Sequence, residues 1–215
     1  MMKISYRSIT LWWHRFWKIA IGVEIICLFS AVIYIAISPK IYEADFTIRL
    51  PKIQKLSPKI EWTLPISGLD FMRLVQNPLI FPGELIANCM GEDTNFNRKK
   101  FTNSTRISLA NNADAIRFTL SIGGKEQSLL CANLLQNMVI SDLDGILEKA
   151  ITALKLNTNP MLVDSVVSER PALLMSIRLS DNYIKPDPLK TIIFAFILGL
   201  LFTAFGSILK EKYSA

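Results

Sequence analysis

Nineteen consecutive residues without a charge, Thr191 to Leu209 (TIIFAFILGLLFTAFGSIL), constrain this chain more than any other feature. As a helix rising about 1.5 Å per residue they cover roughly 30 Å, the hydrocarbon thickness of a bilayer. Thr203 and Ser207 return their hydroxyls to carbonyls one turn earlier, so neither opposes a span. Ala195, Gly199 and Thr203 recur at four-residue spacing, a small-residue face that lets another helix approach closely. The span is followed by Lys210, Glu211 and Lys212 in a tail of residues 210–215. The working part of the protein is therefore expected before residue 191.

A second apolar run, Ile19 to Ile37, follows a basic stretch rich in aromatic rings, Trp12, Trp13, His14, Arg15, Phe16, Trp17 and Lys18. Rings beside cations are what a membrane–water interface selects, and His14, the one histidine, belongs there rather than in a ligand set. The run is longer than the apolar core of a signal peptide, and Pro39 follows where cleavage would fall, so it is expected to remain as an anchor. Glu24 lies inside it. An intramembrane carboxylate is a functional-site candidate, and near the cytoplasmic edge snorkelling to the interface or protonation is the plainer explanation.

The two runs account for much of the 51% hydrophobic content. Net charge is +6: +4 in residues 1–18, −1 from Glu24 in the first apolar run, only +2 across the long middle segment and +1 in the tail. This bias places both termini in the cytoplasm and residues 38–190 outside it. The basic residues cluster at the ends of the apolar runs, where a membrane interface accounts for them, so nucleic acid is not the expected partner. Membrane lipid is the implied surroundings.

Residues 38–190 suffice for one domain with its own core. Tyr42 to Leu50 alternate apolar and polar and predict a half-buried strand. Residues 51–68, with Pro51, Pro58, Pro65 and Gly68, read as a loop. Short helices are predicted at Leu69–Val75 and Gly83–Met90, and a polar connection at 91–104. Arg106–Leu109 and Ala115–Ile122 read as a hairpin. A long helix follows from Lys125 to about Leu154, with Leu130, Leu134, Met138, Leu143, Leu147 and Leu154 as its apolar stripe. Strands are predicted at Leu162–Val167 and Ala172–Leu179. Tyr183 to Lys190 reads as a stiff extended lead into the membrane, with Pro186 and Pro188 barring helix as Pro39 does at the other boundary. The expected fold is α+β, a mainly antiparallel sheet and one long helix between two transmembrane helices.

Sites for chemistry are sparse. Gly123-Gly124-Lys125 lacks the phosphate-loop frame and reads as a plain strand-to-helix turn. Asp142, Asp144 and Gly145 fail as a calcium loop, whose first and last ligands would be Ile140 and Ile151. Cys89 and Cys131 can pair in an oxidising compartment, and burial explains Cys131 as well. No histidine-based triad, metal motif or nucleotide motif is present, so no catalytic residue, metal or cofactor is expected.

The basic Trp-rich start, a first span ending at Pro39, and a strand carrying Tyr42 and Ala44 resemble the Wzz-type chain-length determinants, also called polysaccharide co-polymerases. The strand Ile116–Ile122, the helix with Ala132-Asn133, and the lead Lys185 to Lys190 into a Gly-containing span are similar to that family too. Gly123-Gly124 departs from its usual Asp-Pro, and about 30 residues of helix make this a short member without the long periplasmic helical hairpin. The resemblance implies a non-enzymatic inner-membrane protein with a periplasmic body. It would form homo-oligomers and set the length of lipopolysaccharide O-antigen or another surface glycan beside a Wzy-type polymerase, in contact with the growing chain. A two-span periplasmic ligand sensor or accessory subunit, signalling through a partner membrane protein, is the alternative, and an export component for the same glycan a third.

Overall fold

In the computed structural model the backbone is described for residues 6–56, 60–110, 114–157 and 167–213, with side chains at 17–54, 62–110, 114–155 and 167–206. The chain divides into two compact units. One contains residues 1–40 and 184–215, the other Ile41–Tyr183.

The first unit is a helix pair, α1 (Tyr6–Ile37) and α6 (Pro188–Tyr213). Trp17–Ile37 and Pro188–Gly206 are each long and apolar enough to cross a membrane. Ile25, Ile26 and Phe29 of α1 and Phe194, Leu201 and Phe205 of α6 are exposed. Outward Ile and Phe on both helices is what a lipid-facing pair presents, whereas a soluble core helix would bury them. Pro188 does not bar helix here. It begins α6, because the first-turn N–H that proline lacks has no intrahelical partner anyway. Asp187 caps the turn, its Oδ1 accepting from the Leu189 and Lys190 N–H groups at 3.1 and 3.3 Å. These bonds, with the Lys190 side chain, hold the Asp187 carboxyl below its usual range.

The second unit is α+β. Strands β1 (Ile41–Arg49), β4 (Thr105–Ala110), β5 (Ala115–Gly123) and β7 (Ala172–Leu179) form an antiparallel sheet in the order β4-β5-β1-β7. β1 pairs with β5 without interruption from Ile41↔Gly123 to Arg49↔Ala115. The buried set Ala44, Phe46, Ile48, Ile116, Phe118 and Leu120 lies on one face, where Phe46 stacks on Phe118 with centroids 5.0 Å apart. All helices of this unit bury their apolar sides there. Phe71 and Val75 of α2 (Gly68–Val75), Ile86 of α3 (Gly83–Met90), Phe101 of α4 (Asn95–Ser104) and Leu135 of α5 (Lys125–Asn157) share one core with the sheet.

Several expectations are corrected. Residues 51–68 are not a loop throughout: β2 (Lys52–Leu56) and β3 (Ile60–Thr63) pair antiparallel, and β2 also pairs with β6 (Ser168–Glu169). Arg49↔Ala172 and Lys52↔Glu169 keep one register, so β2–β6 continues the β1–β7 ladder beyond a gap at Pro51 and Pro171. Proline donates no ladder bond, which explains a gap rather than an end. The strand expected at Leu162–Val167 falls, for residues 162–166, outside the described residues.

The polar stretch 91–104 contains helix α4. Thr94 caps it, accepting from the Asn97 N–H at 3.2 Å. Arg98 then ties it down, holding both Asp93 oxygens at 2.6 and 2.7 Å and the Phe81 carbonyl at 2.7 Å. The stripe of α5 matches the expected one at Leu143 and Leu147, with Leu134 and Met138 packed against the core, but is turned at its start. Cys131, Ala132, Leu135, Val139, Leu143 and Leu147 are buried, while Leu130 is 47% exposed. At the start of α5 the small residues Cys131 and Ala132, not Leu129 and Leu130, are buried in the core. Gly124, at φ 84°, makes the turn into α5 in the left-handed region that glycine tolerates.

Asp142, on α5, is half-buried, and desolvation pushes its carboxyl above the ordinary 3.8. Its ionisation therefore opposes folding. Stability is highest below the unfolded pKa and falls as pH rises from there through the raised folded value. Asp142→Asn is expected to raise the melting temperature at pH 7 and to leave it unchanged near pH 3. Paired thermal melts check this.

Candidate functional site

The strongest constellation lies within the helix pair. The small-residue face of α6 is turned onto α1: Ala195 and Thr203 are buried, as are Ala20 and Ala31 of the partner helix. Small side chains at these levels let the two backbones approach. Thr203 donates its hydroxyl to the Gly199 carbonyl at 2.9 Å, so it adds no orphan polar group.

Glu24 meets this face at Gly199. A Cβ built at Gly199 would stand 2.6 Å from Glu24 Oε2 and 2.8 Å from its Cδ. The carboxyl occupies the volume that a side chain at 199 would take, so a larger residue there must displace the end of the Glu24 side chain. Both Glu24 oxygens are fully buried and, among the described residues, accept or donate no hydrogen bond. A buried carboxyl left unpaired costs stability, so what Glu24 contributes at this contact is the volume of its side chain. The structure thus brings Glu24, Gly199 and Thr203 together and engages the expected packing face inside one chain.

Towards the other end of the same helices, Ile26, Ala31, Tyr34, Phe194, Leu198 and Phe202 line an apolar cleft of about 790 Å³. Cys27, the free cysteine among the described residues, also lines it. Pro39 follows the end of α1, where Ser38 donates its N–H to the Tyr34 carbonyl at 2.9 Å. Pro186 is buried, two residues before the start of α6.

In the second unit Cys89 of α3 and Cys131 of α5 are joined in a disulfide, with Cα atoms 5.6 Å apart and both residues buried. Gln127 reinforces this contact, donating to the Asn88 carbonyl. No group of three His, Cys, Asp or Glu side chains gathers in metal-binding fashion among the described residues.

No family model and no curated protein matches the chain. A solved structure described as a full-length bacterial polysaccharide co-polymerase does, with a TM-score of 0.51 and 11% identity, over 95% of this chain and 97% of that one. This chain has the polysaccharide co-polymerase fold. The match runs nearly end to end in both chains, so the co-polymerase fold here takes in the two long terminal helices as well as the α+β body. At 11% identity the shared feature is architecture, built from a different set of side chains. The residues behind the Wzz resemblance lie on the central strands and the long helix of the body: Tyr42 and Ala44 on β1, Ile116 to Ile122 on β5, and Ala132-Asn133 on α5.

Proposed function

We propose that this protein is a non-catalytic regulator of the chain length of a surface polysaccharide, O-antigen or a related glycan, seated in the bacterial inner membrane. The end-to-end likeness to a polysaccharide co-polymerase carries this reading. Both termini lie in the cytoplasm and the Ile41–Tyr183 body in the periplasm. The excess of basic residues before Ile19 and the Cys89–Cys131 bridge support that orientation, since disulfides persist in oxidising compartments. Copies assemble through the body into a homo-oligomeric scaffold beside a Wzy-type polymerase. The growing glycan is held against that scaffold, and assembly geometry decides when extension stops. The helix pair anchors each copy in lipid, its two helices in close approach where Glu24 meets Gly199.

Deletion of the gene is expected to replace a modal glycan ladder with a broad, short-weighted one, while glycan still reaches the surface. Complementation by the full chain restores the mode. An unchanged ladder overturns the proposal, and loss of surface glycan altogether points instead to export.

A further inference from the structure

The helices of the Ile41–Tyr183 unit share their core with one face of the main sheet, and the polar residues of its strands lie on the other. Directly opposed pairs set Arg106 against Thr119, Thr119 against Asp45, and Asp45 against Arg178, one row across all four strands. The next row runs Ser108, Arg117, Thr47, Met175. With strands about 4.8 Å apart, Arg106 and Arg178 stand roughly 14 Å apart, and Arg117 lies between them. All three arginines are exposed, and among the described residues none is in an ion pair. At the centre, Thr47 is 4% exposed and its hydroxyl has no hydrogen-bond partner.

Charges on edge strands discourage edge-to-edge pairing, which accounts for Arg106 on β4 and Arg178 on β7. It does not account for Arg117, which sits on the interior strand β5. Three guanidinium groups around one carboxylate leave the two rows with a net charge of +2. Apart from Met175 the rows hold only charged residues, Ser and Thr, whereas the centre of a subunit interface needs apolar side chains. They hold no aromatic ring on which a nucleobase could stack. The chemistry fits a flat, hydroxylated polyanion. Guanidinium forks take carboxylates bidentately, and Asp45, Thr119 and Ser108 meet sugar hydroxyls.

We propose that this face binds an acidic polysaccharide lying across the strands. The inference rests on the reading that the protein works on a surface glycan, and it names both the glycan's chemical class and the place where it is held.

The test uses the full-length protein in nanodiscs of neutral lipid, with oligogalacturonate as the acidic probe and its methyl ester as the neutral one. Fluorescence anisotropy of labelled oligomers is expected to show binding of the acid form only, weakening several-fold as salt rises from about 0.05 to 0.3 M. The Arg106→Gln, Arg117→Gln, Arg178→Gln triple variant binds roughly tenfold more weakly or worse, because each lost charge-assisted contact removes a share of the affinity. Arg117→Gln alone gives a measurable part of that loss if the triple variant folds poorly. Equal binding of the ester, or unchanged affinity in the variants, overturns the inference. So does a triple variant that loses self-association but not probe, which would make the face a subunit contact, or binding confined to anionic vesicles. A deletion strain with an altered ladder and no probe binding sinks this inference alone. Probe binding beside an unchanged ladder sinks the chain-length reading instead.

Discussion

Removal of the Cys89–Cys131 bridge is expected to destabilise the Ile41–Tyr183 unit by about 4 kcal/mol. The two cysteines are 42 residues apart in sequence, and closing a loop of that size in the unfolded chain removes about this much entropy-derived free energy. The loop contains α4 and the β4–β5 hairpin, so the bridge restrains the unfolded chain across the segment that supplies half of the main sheet. Cys89→Ala, Cys131→Ala and the double variant should each lower the melting temperature by roughly 10 °C, and reductant should do the same to the wild type. The three variants should be equivalent to one another, because one bond is lost in each. Titration of the unfolded, unreduced protein should find a single thiol, at Cys27. Three thiols, or a melting temperature indifferent to reductant, would show that the bridge is not formed, and would remove one of the two supports for a periplasmic body.

The parts of the fold legible in the sequence are those where one physical signal dominates. β1 and β5 alternate cleanly because one sheet face is buried and the other is not, and both terminal helices announce themselves by uncharged length. Elsewhere two signals compete. Pro51, Pro58 and Pro65 suggested a loop, yet β2 and β3 occupy the intervals between prolines, since a proline interrupts a ladder without preventing its continuation. Helix α4 carries no apolar period. A threonine cap and the Arg98–Asp93 fork hold it, and Phe101 is its one buried anchor. On α5 Leu143 and Leu147 mark the buried side correctly and Leu130 does not: at that level the buried residues are the small Cys131 and Ala132, and Leu130 is left exposed.

The candidate site divides in the same way. Glu24 and the Ala195, Gly199, Thr203 face were each visible as sequence features, one as a carboxylate among apolar residues and one as a four-residue spacing. That they meet was not visible, because it depends on the rotation of two helices about their own axes, which neither helix encodes alone. The arginine face had a fainter signal still. Arg106, Arg117 and Arg178 fall in the polar phase of three strands, and only the strand order and register bring them together.

Gly199→Leu is expected to abolish the modal length of the glycan, and Glu24→Ala in the same chain to restore it. Leucine at 199 puts a Cβ within 2.6 Å of Glu24 Oε2 and further carbons beyond it. Either the carboxyl is driven out of its site or the helices separate, and overpacking of this kind costs about 1–3 kcal/mol. Within a helix pair held by close backbone approach, with no hydrophobic drive between helices in lipid, that is a large share of the association energy. Truncating Glu24 empties the volume that leucine needs and at the same time removes a buried carboxyl that has no partner. Glu24→Ala alone should leave the ladder as it is. The coupling between the two positions, measured as the difference between the double variant and the sum of the singles, should be strongly favourable. If the double variant is as defective as Gly199→Leu, close approach at this level is not what leucine disturbs. If Glu24→Ala alone loses the mode, the carboxyl acts beyond packing, and the glycine is there to make room for it.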